Sequence, residues 1–404
     1  MTGGFHRLRA EHKQYDWGRE GADSLVYQLQ RSGGLFMEED LPEGGRYSEL
    51  WMGTHTSGPS FLADGSASLQ QYLEDQHLPG ELPYLFKVLS IDKPLSIQAH
   101  PDEELAQQLH RDFPDIYKDP HHKPELACAL TPFEALCGFR SVPDVFQLLF
   151  SFGEELVDLL GGKVALSTLR ESGIPESQVL KSLFSTLMRT SNEVAAEKEQ
   201  AMIQRLARLS QEENSFCKLL STLDRHFPGD VGVFCAFFLN HIVLQPGEAI
   251  FLGPNVPHAY LSGNCIECMA CSDNVVRAGL TPKLRDADVL LKMLEYEPKQ
   301  FPITSGERVD EFCWRFPVPV SEFLLYRVSL PAGYNGLYQL PRPVRSSEMI
   351  LLSVTGSSRL VAESNQSELL LPGTVFFVPS ESAVKISKDS NEECQLFYCQ
   401  SNLA

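Results

Sequence analysis

The sequence predicts a mainly β fold interrupted by a helical insert, and three observations carry that expectation. Short apolar, β-prone runs bounded by Gly and Pro dominate the chain before residue 142 and after residue 231. The stretch between them places its apolar residues at helical spacing instead. A Pro-Gly turn leading into an apolar strand also occurs twice, as LQPGEAIFL at 244–252 and LPGTVFFV at 371–378. Counting equally from the two prolines sets His258 opposite Val384, so two related β-barrels are expected, with a metal in the first only.

Taken in order, residues 82–90 and 95–100 read as strands around the turn Asp92-Lys93-Pro94. Pro101, Asp102, Glu103 and Glu104 then open a helix running to about Phe113. Proline suits the first helical position, and the acids favour the positive end of the helix dipole. In the insert, three groups trace apolar helix faces: Val145, Phe146, Leu148 and Leu149; Val179, Leu180, Leu183, Phe184 and Leu187; and Met202, Ile203, Leu206 and Leu209. Gly161-Gly162-Lys163 lacks the rest of a phosphate loop and reads as a turn. Strands return after 231, broken by one helix at 284–295, and the chain looks all-β from about 318. The expected division is a discontinuous catalytic β domain (1–141 and 228–315), a helical insert (142–227) and a metal-free C-terminal β domain (316–404).

With 404 residues, 43% hydrophobic and 22% charged, the chain has an ordinary globular composition and the length for two or three domains. Its 34 basic and 53 acidic residues leave a formal charge of -19. That balance argues against a nucleic-acid or anionic-membrane partner, and it suits an anionic substrate only where cations gather in a cleft. Residues 1–14 carry no apolar leader, and no run is long enough to span a membrane; the run at 231–244 is short and includes Asn240 and His241. The ten cysteines, among them Cys128 and Cys235 in apolar settings, read as reduced, buried thiols of a cytoplasmic protein. Cys265, Cys268 and Cys271 form C-x-x-C-x-x-C without a fourth thiolate at cluster spacing. A strand would not turn all three sulfurs to one face, so packing is their expected role.

Four remote segments hold the chemistry. Gln98 and His100 lie two apart on a predicted strand and so share a face. Glu125 follows Pro124, which disfavours helix at Lys123, and His258 follows Val256-Pro257 in extended chain. Two imidazoles, a carboxylate and an amide oxygen suit zinc with an open position, and also cobalt, manganese or iron. The neutral amide adds no charge, which preserves the metal's Lewis acidity. His121 and His122 compete as ligands, and spacing excludes neither. In the fourth segment Arg277 and Lys283 provide the cations that a phosphorylated substrate needs.

The chain resembles the type I phosphomannose isomerases, zinc-dependent enzymes of the cupin superfamily. The resemblance is carried by Gln14-Tyr15-Asp16-Trp17-Gly18, YSELWMGTH at 47–55, residues 82–101, residues 122–125 and residues 247–283. The insert and the C-terminal region match in character more than in letters. The resemblance implies two cupin-type (jelly-roll) β-barrels plus an α-helical domain, with one zinc ion per chain at Gln98, His100, Glu125 and His258. It sets Arg277 at the catalytic arginine. It lines the pocket with Trp17, Glu49, Lys87, Ser96, Lys123, Tyr260, Glu267, Asp273 and Lys283.

The implied reaction interconverts mannose 6-phosphate and fructose 6-phosphate through an enediol. Lys123, Glu267 and Asp273 are the proton-transfer candidates, and the letters do not choose among them. Ser96, Lys87 and Lys283 would hold the phosphate. A cytoplasmic monomer feeding mannose activation for glycan synthesis is the accompanying expectation. Two alternatives remain. A cupin dioxygenase would use redox-active iron and need no pairing of Arg277 with Lys283, and a non-catalytic sugar-phosphate sensor would bind without turnover.

Overall fold

The computed structural model describes residues 4–33, 35–36, 40–208, 214–342, 347–388 and 390–402. Leu209, counted above on an apolar helix face, lies outside them. The described residues form a mainly β molecule with a helical insertion. Sheets of ten and eight strands, a four-stranded sheet and a two-stranded one make up the β part, and none of their strand orders closes on itself. No helix among the described residues is long and apolar enough to cross a membrane.

The ten-stranded sheet carries the metal candidates. Its centre is the long strand His258–Ala270, whose residues 263–270 pair antiparallel with Tyr84–Ile91 on one side and, from Cys265 to Met269, with Glu125–Ala129 on the other. At its start it also pairs with the short strand Ile97–Ala99, which in turn pairs with Val276–Gly279. Helix Glu103–Asp112 follows Ile97–Ala99, and here the structure corrects the expectation. Asp102 is the N-cap and accepts from the Leu105 amide, so Pro101 lies before the cap and not at the first helical position. A carboxylate that bonds a free helix amide fixes the start more firmly than a proline, which only tolerates it. The helix expected over 284–295 is likewise shorter, Ala287–Met293, because Asp286 caps it through the Val289 amide.

The insert consists of Val142–Phe152, Glu154–Leu159, Gly162–Arg170, Glu176–Met188, Asn192–Arg208 and Ser215–His226. Gly161, at φ +109°, makes the turn before the third of these. The insert's buried apolar residues share one core with Ile97, Ala99, Ala259, Leu261, Val276 and Ala278 of the sheet. These alternate in sequence with Gln98, His100, His258, Tyr260 and Arg277. The helices therefore pack on the back of the strands whose front faces bear the candidate site residues.

The eight-stranded sheet is mostly C-terminal, but it recruits two strands from the start of the chain. His6–Arg9 pairs with Val375–Val378, and Phe61–Leu62 pairs with His6–Arg9. The repeated Pro-Gly turns match in geometry, with Gly247 and Gly373 both at φ +86°. Each lies against chain from the other half. A β-carbon on Gly247 would come within 1.7 Å of an Arg327 guanidinium nitrogen, and one on Gly373 within 1.7 Å of the Leu29 carbonyl oxygen. Val384 starts the strand Val384–Lys388, as His258 starts His258–Ala270.

Candidate metal centre and substrate cleft

The buried side chains of His100, Glu125 and His258 converge, with one potential ligand atom from each lying within 4.8 Å of the others. Their second contacts set their chemistry. His100 Nδ1 donates to the Asn274 carbonyl at 2.6 Å and His258 Nδ1 to the Val256 carbonyl at 2.9 Å. Both Nε2 atoms are therefore left as bare lone pairs, buried and without a hydrogen-bond partner. Each sits 3.3 Å from a Glu125 oxygen. Two lone pairs facing a carboxylate repel unless a cation lies among them, so this donor set fits a divalent ion such as zinc. Burial pushes His100 down to about 4 against the pull of Glu125, which leaves it neutral, as a ligand must be. Glu125 lies well below the usual carboxylate range; burial opposes this, but Lys123 and His100 outweigh it.

Gln98 shares the face of this set through register. It stands directly opposite His258 on one neighbouring strand and Arg277 on the other. Directly paired antiparallel residues project to the same face, so Gln98, His258 and Arg277 share the front of the sheet. His121 and His122, the competing ligands, are engaged elsewhere. His121 is exposed beside Glu103 at 3.6 Å, and His122 Nε2 bonds Glu322 at 2.7 Å. Cys265 and Cys268 are buried in separate apolar clusters, and Cys271 packs with a third.

Behind the metal set runs a buried chain of charges. Lys123 Nζ lies 3.0 Å from Glu125. Lys87 Nζ lies 3.2 Å from Glu267 and 3.5 Å from Glu49, which also accepts from the Trp51 indole. Burial works against the charge on Lys87, but the two glutamates hold its pKa above the ordinary lysine value. Lys87, expected from the sequence at the phosphate, is thus an ammonium enclosed by two carboxylates. Burial raises Glu267, with Lys87 opposing. Three carboxylates against two ammoniums leave this interior one negative charge in excess, and a divalent cation would offset it. Tyr260 is buried, with its hydroxyl 3.5 Å from Glu125. Trp17, stacked on Tyr15, packs against the same cluster.

Arg277, Lys283 and Asp273 line an adjacent cleft of about 400 Å³, together with Lys118, Tyr117, Asn274 and Asp286. Burial lowers the Arg277 pKa, which marks a guanidinium partly withdrawn from water. Asp273 is more exposed than the other acids and lies 3.4 Å from His55, whose hydrogen bond lowers the carboxyl. Ser96 is half-buried immediately before the strand that pairs with the Arg277 segment. Sequence reasoning missed Asn274. Its carbonyl orients His100, while its amide Nδ2 donates to the carbonyls of Asp119 (2.6 Å) and His121 (2.7 Å). Ser272 Oγ adds a bond to the His121 carbonyl at 2.9 Å. The only signal in the letters was the polar triplet Ser272-Asp273-Asn274 inside an otherwise apolar stretch.

Comparison with known proteins is consistent with this geometry. The family profile "Phosphomannose isomerase type I, catalytic domain" matches residues 5–142, and "Phosphomannose isomerase type I, helical insertion domain" matches 162–239. The chain is 38% identical to Mannose-6-phosphate isomerase 2 of Arabidopsis thaliana, over 97% of this chain and 93% of that one. It is also 38% identical to the Mannose-6-phosphate isomerase of Homo sapiens, over 95% and 96%. Among solved structures, a zinc-bound mannose 6-phosphate isomerase superposes with a TM-score of 0.82 at 30% identity, covering 99% of this chain and all of that one. The apo form from Salmonella typhimurium also gives 0.82 at 30% identity, with both chains fully covered.

Proposed function

The chain belongs to the type I phosphomannose isomerase family, and we propose that it interconverts mannose 6-phosphate and fructose 6-phosphate with a bound zinc ion. The observation that carries this reading is the convergence of two unpartnered imidazole nitrogens and a carboxylate beside a cleft lined by Arg277 and Lys283. Moving a carbonyl between C1 and C2 takes a proton from one carbon and returns it to its neighbour, so the intermediate enediol must be stabilised.

In this reading Gln98, His100, Glu125 and His258 hold the zinc, which when bound supplies Lewis acidity at the carbonyl end of the sugar. Arg277, on the same sheet face as Gln98, orients the sugar and offsets developing negative charge, and its permanent charge makes it a poor base. Half-buried Lys123 and buried Glu267 are the groups able to hold or move a proton, Glu267 because burial keeps its carboxyl closer to neutral. Asp273, at the more open cleft, serves the ring-opening end of the reaction. Tyr260 and Trp17 wall the pocket. Lys283, and Ser96 beside it in this reading, receive the phosphate.

The finer expectations belong to the same proposal. They are two cupin-type jelly rolls with the division 1–141 plus 228–315, 142–227 and 316–404, and a cytoplasmic monomer that feeds mannose activation. Zinc-replete protein incubated with mannose 6-phosphate should yield fructose 6-phosphate, and chelation should abolish the yield. Binding without turnover would favour the sensor, and dioxygen consumption with iron would favour the dioxygenase.

A further inference from the structure

We propose that Lys118, which no motif singles out, is a phosphate-anchoring residue and completes a three-cation seat with Arg277 and Lys283. The inference rests on the sugar-phosphate reading of the site and adds a residue that sets its specificity. The three cations come from two segments remote in sequence, Lys118 from one and Arg277 with Lys283 from the other, that line one cleft. Among the described residues, none of the three side chains has a carboxylate partner, whereas Lys87, the lysine expected from sequence, is enclosed by Glu49 and Glu267.

The backbone around Lys118 is fastened on both sides to the walls of that cleft. On one side Tyr117 is buried and its hydroxyl donates to Asp286 at 3.0 Å, while its carbonyl accepts from His110 at 2.8 Å. On the other, Asp119 accepts from the Asp273 amide at 3.1 Å and its carbonyl accepts from Asn274 at 2.6 Å. Lys118 is thus an exposed side chain on an anchored Cα, its neighbours tied to Asp286 just after Lys283 on one side and to Asp273 and Asn274 just before Arg277 on the other. Three acids, Asp115, Asp273 and Asp286, share the cleft, and none of them is within ion-pair distance of Lys118. Asp286 accepts from Tyr117 and from its helix cap, and Asp273 lies beside His55. A dianionic phosphate is the chemistry that three converging, unpaired cations recognise.

The test compares zinc-loaded wild type, Lys118→Met and Lys118→Arg. Lys118→Met should raise the KM for mannose 6-phosphate and the Ki of inorganic phosphate by roughly tenfold each, the size of one charge-assisted hydrogen bond at a part-solvated site. Its kcat should stay within about twofold of wild type, and Lys118→Arg should recover most of both constants. An unchanged KM and phosphate Ki in Lys118→Met would overturn the assignment. So would a fall in kcat with an unchanged phosphate Ki, which would mark a structural role. Absence of turnover in the wild type is a different failure: it would count against the isomerase reading, while calorimetric titration of phosphate into wild type and Lys118→Met would still decide the seat.

Discussion

Asn274 shows how much of the site rests on one side chain that is no ligand. It is buried, and it joins the His100 ring to the segment leading into Lys123 and Glu125. Asn274→Asp keeps the shape and the main-chain carbonyl but turns a donor into an acceptor facing two carbonyl oxygens. Groups that orient metal ligands typically contribute 10- to 100-fold in affinity, so zinc retention against a chelator should fall by about that factor. Full retention would show that the ligand segments hold themselves in place. The candidate ligands were legible as candidates, since the two-residue spacing of Gln98 and His100 and the extended chain at His258 are local signals. Asn274 was not, because its partners lie 155 and 153 residues away. The enclosure of Lys87 was hidden for a related reason: its glutamate partners become neighbours only when strands pair.

The helices and strands of the site depend on each other through strict alternation. Ala99, Ala259, Val276 and Ala278 face the helical core while the residues between them face the site, so the insert acts as the backing of the metal strands. Within the insert, Glu199 on Asn192–Arg208 is fully buried and accepts from the Gly229 amide at 3.1 Å. Burial, and then its hydrogen bond with Asp224 of the next helix, pushes its carboxyl up to about 8. The folded protein thus keeps this proton at a pH where the unfolded chain, near the ordinary 4.5, has lost it. The stabilisation is complete below about 4.5 and declines as pH rises through about 8. Thermal midpoints should therefore fall between pH 6 and 9, and Glu199→Gln should flatten that fall. An identical slope in the variant would count against the assignment. Helix faces were legible from apolar spacing, but a shared proton between two helices leaves no periodic trace.

At the scale of the whole molecule, the two β halves are interlocked. The strand at His6–Arg9 belongs to the C-terminal sheet, and the Pro-Gly turns press against opposite halves. His122, next to Lys123, reaches Glu322 in the loop that Asn402 pins through the carbonyls of Val318 and Val320. Gly373→Ala would force a β-carbon into the Leu29 carbonyl at a φ that side chains rarely adopt. It should cost about 2 kcal/mol or more and lower the thermal midpoint while leaving the zinc content intact. An unchanged midpoint would mean that the turn yields freely.

Local chemistry along the chain was enough to give the β–helix–β order and the helical insert, and to nominate the metal donor types and the cations beside them. These depend on periodicity of two or 3.6, on turn residues and on side-chain chemistry, all of which act over a few positions. Folding decided which histidines face the metal, which lysines remain free for an anion, and which strand from the start of the chain completes the C-terminal sheet. Those outcomes depend on register and burial between segments hundreds of residues apart, and a single row of letters does not carry that information.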